Sequence, residues 1–333
     1  MLYWFILHFA IGLTGTWLAR RYAIRHDLID QPGERRSHGI PTPRGGGIAI
    51  VIALLVGTCV LGWRNPQQIV PIAGFTIGLL LVAGVGMVDD HKPLSPWLRL
   101  GVQAMAAAIF ALAMAGVSGD LLTALIAFAA VMVLTNVWNF MDGINGLATT
   151  QAILVTAGLA LIVGGIWGWI AFALIAACMG FLPFNFPTAR VFLGDVGSGP
   201  LGFAAAALLV ATMSTGRFPG VLLLLPLSAF LVDSGLTLLR RIVRGERWWN
   251  PHAQHAYQRW AAASGAHTTV TFMYAGWTAA SWLFAWWLAP RTEGTMAFWC
   301  VVWFIMAAGS WAWLQYFHGV DRPQVSTTEK DRK

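Results

Sequence analysis

Residues 69–92 read IVPIAGFTIGLLLVAGVGMVDDHK, a run of twenty residues without a charge that ends abruptly in two adjacent carboxylates, Asp89 and Asp90. A helix rising 1.5 Å per residue needs about 20 residues to cross about 30 Å of hydrocarbon, so 69–88 is long enough to span a membrane. An ionised carboxylate inside a bilayer costs roughly 2.5–3.5 kcal/mol at mid-span, and an acid pair at the membrane edge therefore calls for a function. Two other apolar runs end the same way, at Asn139-Phe140-Met141-Asp142-Gly143 and at Phe192-Leu193-Gly194-Asp195-Val196-Gly197-Ser198. Whether the three ends face one side decides whether they form one site.

Ten further runs match the first in character: 2–19, 46–61, 98–117, 121–140, 147–165, 167–183, 199–213, 219–239, 270–288 and 296–317. The expectation is an all-α polytopic membrane protein of about 11 transmembrane helices. Composition agrees, with 57% hydrophobic and 11% charged residues in 333. Loops between spans alternate sides, and eighteen of the 21 Lys and Arg residues then fall on one side, with only Arg64, Arg217 and Arg291 on the other. The positive-inside rule makes the first side cytoplasmic and puts the N-terminus outside. All three acidic turns land on the cytoplasmic face, which also carries the two long connections, 20–45 and 240–269. The chain reads as one integral membrane domain, 1–320, with a charged cytoplasmic tail, 321–333. The first run lacks a preceding basic residue and is followed by Arg20-Arg21, the pattern of a retained anchor. The net charge of +7 does not suggest nucleic acid, because the basic residues punctuate apolar runs. Cys59, Cys178 and Cys300 lie singly inside apolar runs and read as buried small side chains.

Neighbouring side chains on a helix diverge by roughly 100°, so Asp89 and Asp90 are expected to do separate jobs, one at a cation and one as base or orienting group. Asn139 and Asp142, three apart, share a helical face and offer the oxygen ligands that suit Mg²⁺. Asn136, one turn earlier, is expected to bond back to its own helix. At 194–199, Asp195 is presented at a glycine bend, and the following helix start offers N–H groups to a phosphate beside a metal held by Asp195. The loop 31–47 is basic and glycine-rich without the lysine of a P-loop, and reads as a collar for a phosphate head group. Arg99, one turn before Gln103, is placed to contact the same phosphate. In the second long loop, His252 and His255 are better suited to a sugar diphosphate than to a metal, while Asp233 is expected to pair with Arg240 and Arg241. The carboxylates in spans also raise the reading of an ion-coupled membrane transporter.

Taken together, Asp89-Asp90, Asn139-x-x-Asp142-Gly143 and Phe192-x-Gly194-Asp195-x-Gly197-Ser198, with 30–47 and 250–259 in the same order, resemble the polyprenyl-phosphate N-acetylhexosamine-1-phosphate transferase superfamily. The resemblance implies transfer of an N-acetylated sugar 1-phosphate from a UDP-sugar to undecaprenyl phosphate within the membrane lipids, releasing UMP. It implies Mg²⁺, with Mn²⁺ as a substitute, on Asp195 and Asn139, and catalytic roles for Asp89, Asp90 and Asp142. It places Asn145, Asn185 and Phe192 near the nucleotide, His252, His255 and Arg259 near the sugar diphosphate, and Arg44, Lys92 and Arg99 at the lipid phosphate. Many bacterial members have Asp at Asn145, which bears on uracil contacts. His255-Ala256-Tyr257-Gln258 departs from the triple-histidine pattern of the muramyl-pentapeptide enzymes and is similar to the branch that starts O-antigen chains of lipopolysaccharide on N-acetylfucosamine or N-acetylquinovosamine. An N-acetylglucosamine-1-phosphate transferase is the alternative. The sequence leaves the oligomeric state open, a homodimer included.

Overall fold

A computed structural model describes residues 1–33, 40–247, 249–250 and 252–317. The expected tail 321–333, together with Arg35 and Arg36 of the basic collar, lies outside the described residues. The described chain is helical apart from one short antiparallel pair, β1 (Ile29–Asp30) with β2 (Thr42–Pro43). The helices are α1 (Leu2–Arg25), α2 (Ile48–Arg64), α3 (Ile69–His91), α4 (Pro96–Ser118), α5 (Leu121–Phe140), α6 (Leu147–Val163), α7 (Gly165–Asn185), α8 (Asp195–Ser214), α9 (Ser228–Val243), α10 (Ala256–Ser264), α11 (His267–Leu288) and α12 (Glu293–Phe317). A 3₁₀ segment, Gly220–Leu227, leads into α9.

Each of the eleven expected spans coincides with a helical segment, and α10 is a short addition between two of them. Among the described residues, eight segments are long and apolar enough to cross a membrane by length and composition. Helices α2 and α6, with 17 residues each, are apolar but shorter. Helix α11 is long enough, yet polar along the face that it turns inward: Thr271 Oγ1 donates to Asn145 O, Tyr274 Oη to Asp233 and Thr278 Oγ1 to Gln151. The protein is a multi-pass, all-α membrane protein.

Helix α8 is the axis of the bundle. Of its apolar stretch, 94% is buried, against 17% for α1 and α12 at the periphery. Its sequence, DVGSGPLGFAAAALLVATMS, is dominated by small residues, which let neighbouring backbones come close where no hydrophobic force separates helix from lipid. It packs most extensively on α5 and α3. At Gly202 a Cβ would run into the Leu134 backbone of α5, and at Gly197 into Gly47 at the start of α2. Large apolar side chains on the outer helices, such as Leu112, Leu161 and Leu283, are exposed, as lipid-facing residues must be. Cys59 is among the exposed residues, contrary to the expected burial, because it lies on the outer face of α2; Cys178 and Cys300 are buried. The same packing brings the C-terminal ends of α3 and α5 to the N-terminal end of α8.

Candidate active site

The site grows from the turn that opens α8. Residues 190–194 run beside the start of α2: the Phe192 N–H donates to Pro43 O (2.7 Å), and Gly46 and Gly47 N–H donate to Phe192 O and Leu193 O (2.9 Å each). Gly194 then turns the chain at φ 74°, and a Cβ there would lie 2.6 Å from Asp90 Oδ2 and 2.8 Å from Gly45 N. Gly194→Ala is therefore expected to displace Asp195 and cut transferase turnover by at least about tenfold, through both backbone strain and overlap; near-normal turnover would show that the turn tolerates another path.

Asp90 is 4% exposed and accepts the N–H groups of Asp195 (3.1 Å) and Val196 (3.0 Å). Arg44 donates to the Asp90 carbonyl and brings its Nε within 4.0 Å of Oδ1. The anion place at the start of α8, offered by the sequence to a phosphate, is thus filled by the chain's own carboxylate, which compensates the helix dipole. Asp90 fixes the direction of α8 rather than facing solvent.

Asp89 points the other way. Its Oδ1 accepts the Leu94 N–H (2.6 Å), and its Oδ2 accepts from Arg99 Nη1 (3.0 Å), which also reaches Asp195 Oδ2 (2.9 Å). Ser95 caps α4 by accepting the Leu98 N–H, and Pro96 follows at the first helical position, so Arg99 stands one turn in and returns toward the acids. Lys92 is exposed at the C-cap of α3. On α5, Asn139 Nδ2 donates to Ser198 Oγ of α8 (3.0 Å), and its Oδ1 is not used in that bond. The side chain of Asp142, just past α5, has no hydrogen-bond partner among the described residues; burial, then the facing Asp195 and Asp90, push its carboxyl well above the usual range. Asn136 bonds back to Met132 O, as expected, and also to Gln103.

Four carboxylates, Asp89, Asp90, Asp142 and Asp195, therefore gather at this end, in contact among the described residues with two guanidiniums, Arg44 and Arg99, while the exposed Lys92 stands at the C-cap of α3. A divalent cation fits an end so rich in carboxylate. Among the described residues no three His, Cys, Asp or Glu side chains converge as a full metal cage, so the fit is to an ion that takes few protein oxygens and keeps places for water and phosphate, as Mg²⁺ does.

Residues 72–213, which carry all four of these acids, match the glycosyl transferase family 4. The phospho-N-acetylmuramoyl-pentapeptide-transferase of Moorella thermoacetica is 34% identical over 221 residues, 57% of this chain and 68% of that protein. The chain belongs to glycosyl transferase family 4. The probable undecaprenyl-phosphate N-acetylglucosaminyl 1-phosphate transferase of Bacillus subtilis is 28% identical over 286 residues, 79% of this chain and 78% of the relative. The undecaprenyl-phosphate alpha-N-acetylglucosaminyl 1-phosphate transferase of Thermotoga maritima is 28% identical over 257 residues, 76% and 79% of the two chains. The protein is a phosphosugar transferase. The transporter reading falls with this membership and with the gathering of the acids at one end of the bundle.

In this glycosyl transferase family 4 chain the remaining expected site residues sit in the turn after α5, at the end of α7 and in the turn before α8, and at α10 and its approach. Asn145 Nδ2 donates to Pro187 O (3.0 Å). Asn185 is buried and its carboxamide is committed at both ends, accepting from Gly146 N–H and donating to Val191 O, so it ties the turn after α5 to the turn before α8. Phe192 is half-buried in that second turn. His255, 3% exposed, is stacked between Phe140 and Tyr257, with its Nδ1 3.6 Å from Asp233 Oδ1. The expected direct contact of His255 with a sugar diphosphate is thus not what the structure shows; the side chain is packed inside, while His252 beside it is half-buried. Arg259 lies on α10, half-buried.

Asp233 does not pair with Arg240 or Arg241, which engage Gln315 and Glu246 instead. It accepts the Ala256 and Tyr257 N–H groups (2.8 and 3.1 Å) and the Tyr274 hydroxyl (2.7 Å), and so caps α10 as Asp90 caps α8. The basic residues follow Asp233 by seven and eight positions, two helical turns away and beyond ion-pair reach, while α10 needed an acceptor for its first amides. Tyr257 then donates to Phe140 O (2.9 Å), joining α10 to the end of α5. Ser198 and Tyr257 were not singled out as site residues by sequence reasoning; the small polar residue after Asp195 and the aromatic inside the His255 segment were the available signals.

Proposed function

We propose that the protein transfers an N-acetylhexosamine 1-phosphate from a UDP-sugar to undecaprenyl phosphate at the cytoplasmic face of a bacterial inner membrane, releasing UMP. The gathering of four carboxylates at the joined ends of α3, α5 and α8 carries this reading, since it suits a divalent ion and that ion suits phosphates. The names of the relatives support a polyprenyl-phosphate acceptor, and the eighteen-to-three partition of Lys and Arg supports the orientation, with the N-terminus periplasmic.

Asp195 and Asn139 Oδ1 would hold Mg²⁺. When bound, the ion withdraws charge from the diphosphate and stabilises the departing UMP. Arg44, Lys92 and Arg99 collect the phosphate of the lipid. An oxygen of that phosphate forms a bond to the phosphorus bearing the sugar, and the bond from this phosphorus to the UMP oxygen breaks. Asp142, whose carboxylate has no hydrogen-bond partner among the described residues, takes any proton left on the attacking phosphate, and Asp89 holds Arg99 in place. Asp90 positions the Asp195 turn. Asn145 and Phe192 border the nucleotide, with Asn185 fixing the turns that carry them, and His252 and Arg259 approach the sugar on the scaffold that His255 and Asp233 build.

For the donor, the His255-Ala256-Tyr257-Gln258 segment supports UDP-N-acetylfucosamine or UDP-N-acetylquinovosamine, and thereby the start of an O-antigen. The names of the relatives favour UDP-N-acetylglucosamine as a second reading. The test is UMP release by the purified protein with undecaprenyl phosphate, Mg²⁺ and a panel of UDP-N-acetylhexosamines. Release with one donor, abolished by EDTA and restored by Mg²⁺ or Mn²⁺, is expected; release indifferent to EDTA would remove the metal from the reaction. In the same assay Arg44→Ala is expected to raise the KM for the lipid phosphate by roughly tenfold, the effect of one charge-assisted hydrogen bond, and unchanged lipid kinetics would sink that assignment.

A further inference from the structure

The two acids at the mouth of the site are held unequally. Asp89 is fixed through both oxygens, Oδ1 by the Leu94 N–H and Oδ2 by Arg99. The Asp195 side chain meets Asp89 and Arg99, its Oδ2 accepting from Nη1, and among the described residues no backbone N–H holds it. One guanidinium nitrogen, Nη1, therefore bridges a firmly anchored carboxylate and a loosely held one, and Asp195 is also the more exposed of the two, at 30% of its side chain against 15%. We propose that Arg99 is the internal counter-ion of the cation site: it keeps Asp89 and Asp195 together until a divalent cation binds Asp195, then pivots on Asp89 and presents its guanidinium to the incoming phosphate. The inference rests on the cation reading above and adds an order of events to it.

The physical argument is competition for one oxygen. A divalent cation on Asp195 and the guanidinium on the same carboxylate repel each other at contact distance, in a half-buried setting where screening is weak. Asp89 keeps its hold on Arg99 because its second oxygen is fixed by the turn that caps α4, so the side chain is retained at the site. The released donors then face the space in front of Asp195, where Arg suits the planar, bidentate recognition of a phosphate. Arg99 thus acts through Asp195 as a positioning residue, and cation and phosphate binding become coupled, each favouring the other.

The coupling is measurable without turnover. Binding of Mn²⁺ to the purified full-length protein, followed by the electron paramagnetic resonance of free Mn²⁺, is compared for wild type, Arg99→Gln and Arg99→Lys, with apparent melting temperatures recorded in EDTA and in Mn²⁺. Arg99→Gln removes the competitor and leaves the carboxylates unneutralised. It is expected to bind Mn²⁺ on the order of tenfold more tightly, to melt lower than wild type in EDTA, and to regain the difference in Mn²⁺, while UMP release falls. Arg99→Lys, which keeps the charge but not the bridging fork, is expected between the two and carries the test if Arg99→Gln does not fold. Mn²⁺ affinity equal to or weaker than wild type in the variants would overturn the counter-ion role and leave the cation reading standing. Absence of Mn²⁺ binding to all three proteins would overturn the cation reading itself, and this inference with it.

Discussion

Asp195→Asn is expected to lower UMP release by at least about 10²–10³-fold, the scale seen when one electrostatic contact to a developing charge is removed from an enzyme. The substitution keeps the shape of the side chain and its oxygen, but not the negative charge that a cation requires. Because the Asp195 side chain meets Asp89 and Arg99 and, among the described residues, no group of α8, and is partly exposed, the helix that it opens is otherwise untouched. The variant is therefore expected to express, insert and melt close to wild type, with Mn²⁺ affinity reduced by tenfold or more. Wild-type turnover from Asp195→Asn would exclude it from the mechanism and move the proposed cation to Asp142.

Asp90→Ala is expected to act through the fold. Its carboxylate accepts two backbone N–H groups of α8 and faces Arg44 at 4% exposure. Deletion strands both amides and leaves the guanidinium without its counter-charge, a loss of about 2–5 kcal/mol for a buried, charge-assisted arrangement. The melting temperature should fall clearly, and activity should be lost because the Asp195 turn is no longer held. Asp90→Asn keeps one acceptor oxygen and should recover part of the stability. A thermal profile of Asp90→Ala that overlays wild type would show that α8 is fixed by its packing alone. The contrast with Asp195→Asn separates two carboxylates of one motif set: one whose loss is felt in chemistry, the other in structure first.

Much of this was legible in the chain because the membrane imposes a simple code. Runs of about 20 uncharged residues, and the bias of Lys and Arg between them, placed eleven helical segments and put Asp89, Asn139, Asp142 and Asp195 at one end before any coordinate was considered. What periodicity does not carry is which acid answers which amide. Asp90 and Asp233 both looked like ionisable groups seeking a charge, whereas both are caps for helices that begin 105 and 23 residues later. His255 looked accessible because polar loop residues usually are; its burial follows from the stack of Phe140 and Tyr257, which depends on a contact across 117 residues. Cys59 was misread for a related reason, since hydrophobicity marks lipid-facing and buried positions alike, and only the rotation of α2 tells them apart.

The placement of α8 also sets a timetable. Asp89 and Asp90 leave the ribosome more than a hundred residues before the amides and the guanidinium-bridged acid that complete their surroundings, and α4 through α7 are synthesised in the interval. During that interval the partners that the chain already offers the pair are Arg44 for Asp90, and the Leu94 N–H and Arg99 for Asp89. Once α8 threads into the space between α3 and α5, the Asp90 cap and the Arg99 bridge to Asp195 can close together. A truncated chain that ends before residue 195 would then hold Asp89, Asp90, Asn139 and Asp142 but neither Asp195 nor the amides that anchor Asp90, so the site is completed only by the insertion of a single small-residue helix.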